Sequence, residues 1–159
     1  MDKKLIIIIV TTVCLMAAFL YGYDLDKKNQ MKVVSLNKST ELYDEREDMK
    51  YSIDSIKFEK GIGEINGWAI VNGIDSIDVK PSVVLRNEND DMYKIKTRIQ
   101  KRRDITKLIT NENKKYDNSG ITSEFYIKDL PKRHKYQIGI QIQIKEVKYF
   151  IWTNKDFSL

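Results

Sequence analysis

The chain has 159 residues, a formal net charge of +5 and 42% hydrophobic residues, with one Cys, one His and two Pro. This length accommodates one domain and a tail, and the apolar content suffices for a core, so wholesale disorder and a multidomain enzyme are excluded. A lone Cys excludes an internal disulfide, and Cys14 and His134, 120 positions apart, exclude a Cys/His zinc site.

Met1-Asp2-Lys3-Lys4 precedes an uncharged run from Leu5 to Tyr21 that holds no Gly or Pro. At ~1.5 Å per residue these 17 residues of helix reach roughly 26 Å, close to the ~30 Å hydrocarbon core, with Tyr21 and Tyr23 at the interface. Residues 1–23 are read as an uncleaved membrane anchor, with Cys14 inside the apolar run. A cleaved signal peptide is the competing reading, but cut sites near Ala17-Ala18 and Gly22 put the bulky Met16 and Leu20 where a small residue is needed. A lipoprotein cut before Cys14 meets Val13 instead of a small residue. Lys3 and Lys4 lie on one side of the run and Lys27, Lys28 and Lys32 on the other. The short leading tail places the N-terminus in the cytoplasm and the body outside it.

Residues 24–50 are rich in Lys, Asp, Glu, Asn and Ser, with a charged block over 41–48. Little of this surface can be buried to offset ordering entropy, so the segment reads as a charged stalk. From Tyr51 the pattern changes to short stretches of period two separated by Gly, Asn, Asp and Pro, which predicts strands over 52–59, 62–71, 81–87, 92–99 and 120–129. Tyr136, Ile138, Ile140, Ile142 and Ile144 alternate with Gln137, Gly139, Gln141, Gln143 and Lys145, a strand with one buried face. Lys145-Glu146 turns into a terminal strand over 147–152. Asn72-Gly73, the 87–90 stretch Asn-Glu-Asn-Asp and Asn118-Ser119-Gly120 supply turn chemistry. Ile105, Leu108 and Ile109 recur at helical spacing, so 103–112 is read as a short crossing helix. Seven strands over 51–159 predict a mainly β domain, an immunoglobulin-like antiparallel β-sandwich.

Four stretches carry a resemblance: Ile65-Asn66-Gly67-Trp68-Ala69, Arg103-Asp104-Ile105, Ser119-Gly120-Ile121-Thr122-Ser123-Glu124-Phe125 and Lys135-Tyr136-Gln137-Ile138-Gly139-Ile140. Their order resembles that of immunoglobulin-like modules of bacterial envelope and surface proteins, with Ile121 where Phe is usual. The resemblance covers about 51–153 and implies a fold and an envelope location.

Hydrolytic triads need a His, and His134 stands in the basic run Lys132-Arg133-His134-Lys135, which reads as a surface turn. The carboxylate pair Asp90-Asp91 lies in a polar turn, and no phosphate loop, HExxH helix or calcium loop occurs. The expectation is a non-catalytic binding or assembly module with no catalytic residues, metal or cofactor. Lys101, Arg102 and Arg103 with Lys107, and Lys114 with Lys115, form a basic region suited to an anionic envelope polymer, and Arg103 is alternatively a structural ion-pair partner. Nucleic acid, which would need the same charges, is set aside as a partner by the membrane topology. Phe150 and Trp152 share one strand face and offer an aromatic surface to a sugar or to another surface protein. Trp68 shares its face with Ile62 and Ile70 and reads as core. A pilin-like subunit has the same plan but needs a Glu in the apolar helix, which residues 5–21 lack.

Overall fold

The computed structural model describes residues 3–36, 47–109 and 113–159. The chain divides into two units, Met1–Gln30 and Met31–Leu159.

The first unit is a single helix, α1 (Lys3–Gln30), whose described side chains up to residue 29 are exposed. It is long and apolar enough to cross a membrane. Thr11 and Thr12 donate their hydroxyls to the carbonyls of Ile7 and Ile8, at 2.8 and 2.9 Å, so neither polar group is left open within the apolar run. The helix continues past the apolar run because no Pro breaks it. Asp24 and Lys28 pair at 2.7 Å, one helical turn apart, and Lys27 and Lys28 lie in the last turn, where they complement the helix dipole.

The second unit is built on eight strands, all paired antiparallel: β1 (Val33–Leu36), β2 (Met49–Glu59), β3 (Ile62–Val71), β4 (Val79–Arg86), β5 (Met92–Gln100), β6 (Gly120–Tyr126), β7 (Lys135–Ile144) and β8 (Val147–Ser158). Their order is β2-β3-β6-β5-β4-β7-β8, with β1 beside β5. Strand β5 is the hinge of this path. Its residues 92–96 pair with β4 while Thr97–Gln100 pair with β6. The two ends of the path meet where Phe58 of β2 and Phe157 of β8 place their ring centroids 5.2 Å apart, so the sheet is nearly closed like a barrel.

Period-two patterning explains the filling. Val83 and Leu85, Ile138, Ile140 and Ile142, Ile65 and Phe125 turn to one side and form a continuous core with Ile95, Tyr136 and Phe157. Beta-branched side chains suit this pleated, fully covered surface. The β2–β3 turn uses Lys60 and Gly61 at φ 50° and 79°, the left-handed pair that matches strand twist in a two-residue hairpin. Pro81 sits where β4 pairs with β7 only, since the β5 pairing begins at Ser82.

Within 24–50, the segment expected to be a stalk, residues 24–30 continue α1, Val33–Leu36 is β1 and Met49 and Lys50 open β2; 37–46 lie outside the described residues. Met31 and Met49 are buried, and Val33 packs against the core. The expected strand over 120–129 ends at Tyr126, and Ile127–Asp129 form a 3₁₀ turn tied back by the Ile127 N–H to the Gly61 carbonyl at 3.0 Å. The expected helix over 103–112 is α2 (Arg103–Leu108), with 110–112 outside the described residues. It contributes Ile105 to a second, smaller cluster with Ile70, Tyr116, Trp68 and Ile109. Trp68 is half-buried in that cluster, not in the main core.

Candidate functional site

Two regions bear on binding. The first is the basic region around α2. Its backbone is drawn together by the Arg102 N–H donating to the Asp117 carbonyl at 2.7 Å and by the Tyr116 N–H donating to Thr106 Oγ1 at 2.8 Å. Lys101 and Lys115 are exposed and Lys114 is partly buried. Arg102 is not a free cation: it donates to both carboxylate oxygens of Asp104, at 2.8–3.1 Å, and reaches Asp54 on β2 at 2.6 Å. The hydrogen bonds to Asp104 and then Asp54 hold the guanidinium protonated well beyond its usual range, and the bond from Arg102 pulls the Asp104 carboxyl below its own. Asp75 accepts the Lys115 N–H at 2.7 Å, and Asp117 accepts the Thr106 hydroxyl at 2.7 Å. Folding therefore brings four aspartates in among these cations, and the patch is mixed in sign.

The second region is a polar cleft of about 470 Å³ at one end of β4, β7 and β8. Its floor is Arg86, the last residue of β4, set opposite Gln137 in the β4–β7 register. Arg86 Nη2 donates to Gln137 Oε1 at 2.7 Å, and the guanidinium carbon lies 4.3 Å from the centre of the Trp152 ring. Gln137 in turn donates to the Thr153 carbonyl at 3.2 Å. One wall is a bulge in β8. Gly139 faces Trp152 and Gln137 faces Asp156, so two extra residues are looped out between them. Thr153, 2% exposed, pins this bulge by donating to the Ile138 carbonyl at 2.8 Å and accepting the Lys155 N–H at 3.2 Å. The other wall is the β4–β5 turn, where buried Asn87 accepts the N–H groups of Asn89 and Asp91, both at 2.9 Å. Lys135 pairs with Asp156 at 2.9 Å, and its N–H donates to Glu88 at 3.0 Å. His134 Nδ1 lies 3.6 Å from Glu88, outside hydrogen-bond reach, with its ring against Tyr136.

Of the residues singled out in the sequence, Asp90 and Lys135 line this cleft and Trp152 borders it through Arg86, whereas Lys101, Arg102, Lys114, Lys115 and Phe150 do not line it. Phe150, expected on an aromatic surface, is 2% exposed and forms an edge-to-face pair with Trp152 at 4.8 Å. It is buried because Gly139 on the neighbouring strand leaves room for both rings. An added Cβ there would stand 2.6 Å from Phe150 and 2.9 Å from Trp152. Arg86, Gln137, Asn154, Lys155 and Asp156 were not among the sequence candidates. Their only signal is a polar position after Val83-Val84-Leu85 and the Asn154-Lys155-Asp156 break in the terminal alternation.

Comparisons of this chain with protein-family models, curated proteins and solved structures return no match.

Proposed function

We propose that this protein is a single-pass, membrane-anchored, extracytoplasmic binding or assembly module of the cell envelope, immunoglobulin-like in architecture and non-catalytic. The observation that carries the anchoring is α1, a helix long and apolar enough to cross a membrane, whose described apolar side chains are exposed. Lys3 and Lys4, directly before the apolar run, support a cytoplasmic placement of that side of the helix.

The immunoglobulin-like reading draws support from the strand order. If β2 to β8 are the seven strands of that architecture, the first, second, fifth and fourth neighbour one another, as do the third, sixth and seventh. Tyr136 at the start of β7 donates its hydroxyl back to the Pro131 carbonyl at 2.7 Å, a tie of the tyrosine-corner kind. The non-catalytic reading rests on the chemistry available: the one thiol, Cys14, lies in α1 and the one imidazole, His134, in the other unit.

Within this reading, binding of an envelope polymer is favoured over protein–protein assembly by a specific observation. Phe150 is buried and cannot serve as a protein-docking aromatic, whereas the cleft beside Trp152 is polar and open. Protease accessibility in intact cells, with the mass of the mature N-terminal peptide, tests the placement. Digestion of the β unit from outside with residues 1–21 retained is expected; digestion only after lysis, or loss of the apolar run, overturns it.

A further inference from the structure

We infer that the Arg86 cleft is a binding site for an acidic saccharide unit, a sugar bearing a carboxylate or phosphate; this rests on the reading of the domain as a binding module. Three observations lead there. First, Arg86 is a half-buried cation with no acid partner among the described residues. Its guanidinium is oriented before any ligand arrives, by the Trp152 ring on its face and by Gln137 Oε1 on one edge, leaving its other N–H donors for a planar or tetrahedral anion. Such a prepaired arginine loses little freedom on binding.

Second, the walls are held. The Thr153 bulge and the Asn87 turn are each fixed by side-chain to backbone hydrogen bonds, so Asn154 and Lys155 are presented by a shaped loop and not by a fraying strand end. A bulge that interrupts an otherwise regular hairpin is a device for re-aiming side chains. Lys155, exposed and free of any acid partner among the described residues, adds a second cation on the same side.

Third, the rest of the lining decides the body of the ligand. Carboxylates of Glu88, Asp90 and Asp156 balance the three cations, so a bare anion gains little from the summed field. Acceptor carboxylates beside amide and guanidinium donors suit a ligand with many hydroxyl groups, each able to donate and accept. Every residue lining the cleft is polar or charged, which favours a hydroxyl-rich ligand over an apolar peptide side chain, and its volume lies within the range of small-ligand sites.

The test uses the full chain, isotopically labelled, in detergent micelles. Sodium glucuronate, glucose 6-phosphate, glucose, sodium acetate, inorganic phosphate and trialanine are titrated at low ionic strength, with backbone and side-chain amide and Arg Nε–H shifts as the readout. Saturable binding of at least one acidic sugar is expected, with Kd at least tenfold below that of glucose, acetate, phosphate and trialanine and with shifts centred on Arg86, Asn154 and Lys155. Arg86→Gln is expected to weaken binding at least tenfold and the exposed Lys155→Glu at least threefold, while Lys80→Gln, exposed at the other end of β4, leaves it unchanged. The Lys155 variant keeps the test decisive if Arg86→Gln disturbs the fold. Failure of both acidic sugars to saturate, equal binding of acetate or phosphate alone, tighter binding of trialanine, or an unchanged Kd in the well-folded variants overturns the inference. None of these outcomes bears on membrane placement, which the protease experiment decides independently.

Discussion

Gly67 shows how one missing side chain sets strand spacing. It faces Ile53 across the β2–β3 pair, and a Cβ there would collide with the Ser52 carbonyl, a backbone atom that cannot rotate aside. Gly67→Ala is therefore expected to destabilise the domain by about 1–3 kcal/mol, the range for overpacking, as read from chemical denaturation. Tyr136 works in the opposite sense, by filling space while keeping its hydroxyl satisfied. Burial, aided by the charges of Tyr93, Asp91 and Glu88, pushes its phenol up to about 12. A raised folded-state value means the neutral form is favoured on folding. Its contribution is whole below the unfolded value of ~10 and is lost as pH rises through about 12. Wild type is thus expected to exceed Tyr136→Phe in stability at neutral pH by roughly 0.5–1.5 kcal/mol, the net worth of the bond to Pro131. That margin is expected to shrink between pH 10 and 12, which denaturant midpoints of the two proteins across that range would show.

Among elements, α2 is held by two kinds of contact whose magnitudes differ. Arg102 ties its first turn to Asp54 and Asp104, but these pairs are partly exposed, and exposed ion pairs contribute at most about 1 kcal/mol. Ile105 is 2% exposed against Ile70 and Tyr116, and truncating a buried Ile costs about 2–5 kcal/mol. Apolar packing wins, so Ile105→Ala is expected to lower stability well beyond Arg102→Gln in urea titrations followed by far-UV circular dichroism. Periodicity made most of these elements readable. The stripe of Ile138, Ile140 and Ile142 is a strand because period two admits nothing else at that length. What periodicity could not show is that β7 lies inside the sheet. Its second face is covered at Gly139 and Gln141 by Phe150 and Trp152 and by Lys94, which donates to Gln141 at 2.8 Å. Nor could it find β1. Four residues amid polar sequence fall below any pattern threshold, and Val33–Leu36 become a strand only by pairing with residues 92–95.

For the whole molecule, the two units differ in what they bury. The described apolar side chains of α1 are exposed on a helix long and apolar enough to cross a membrane; the β unit carries its own core. A charge at the middle of the run, as in Val13→Arg, is expected to disfavour insertion by about 2.5–3.5 kcal/mol. It would move the protein toward the soluble fraction in alkaline carbonate extraction, while the β unit keeps its strand signature in far-UV circular dichroism. Equal membrane retention of wild type and variant would contradict a spanning role for α1.

What the amino-acid sequence determined by itself is whatever depends on near neighbours along the chain. The uncharged run of α1, the alternating strands and the Asn-Gly turn belong here, because helix and strand periods and turn conformations are set within a few residues. The tertiary structure alone decided which charges remain available. Arg102 looks like a cation for a ligand until Asp54, 48 residues away, is folded onto it. Arg86 is unremarked in the sequence until strands β7 and β8, about 50 and 65 residues further on, bring Gln137 and Trp152 to its edge and face. Electrostatics and hydrogen bonding act through space, so the cleft exists only once those distant strands share a sheet.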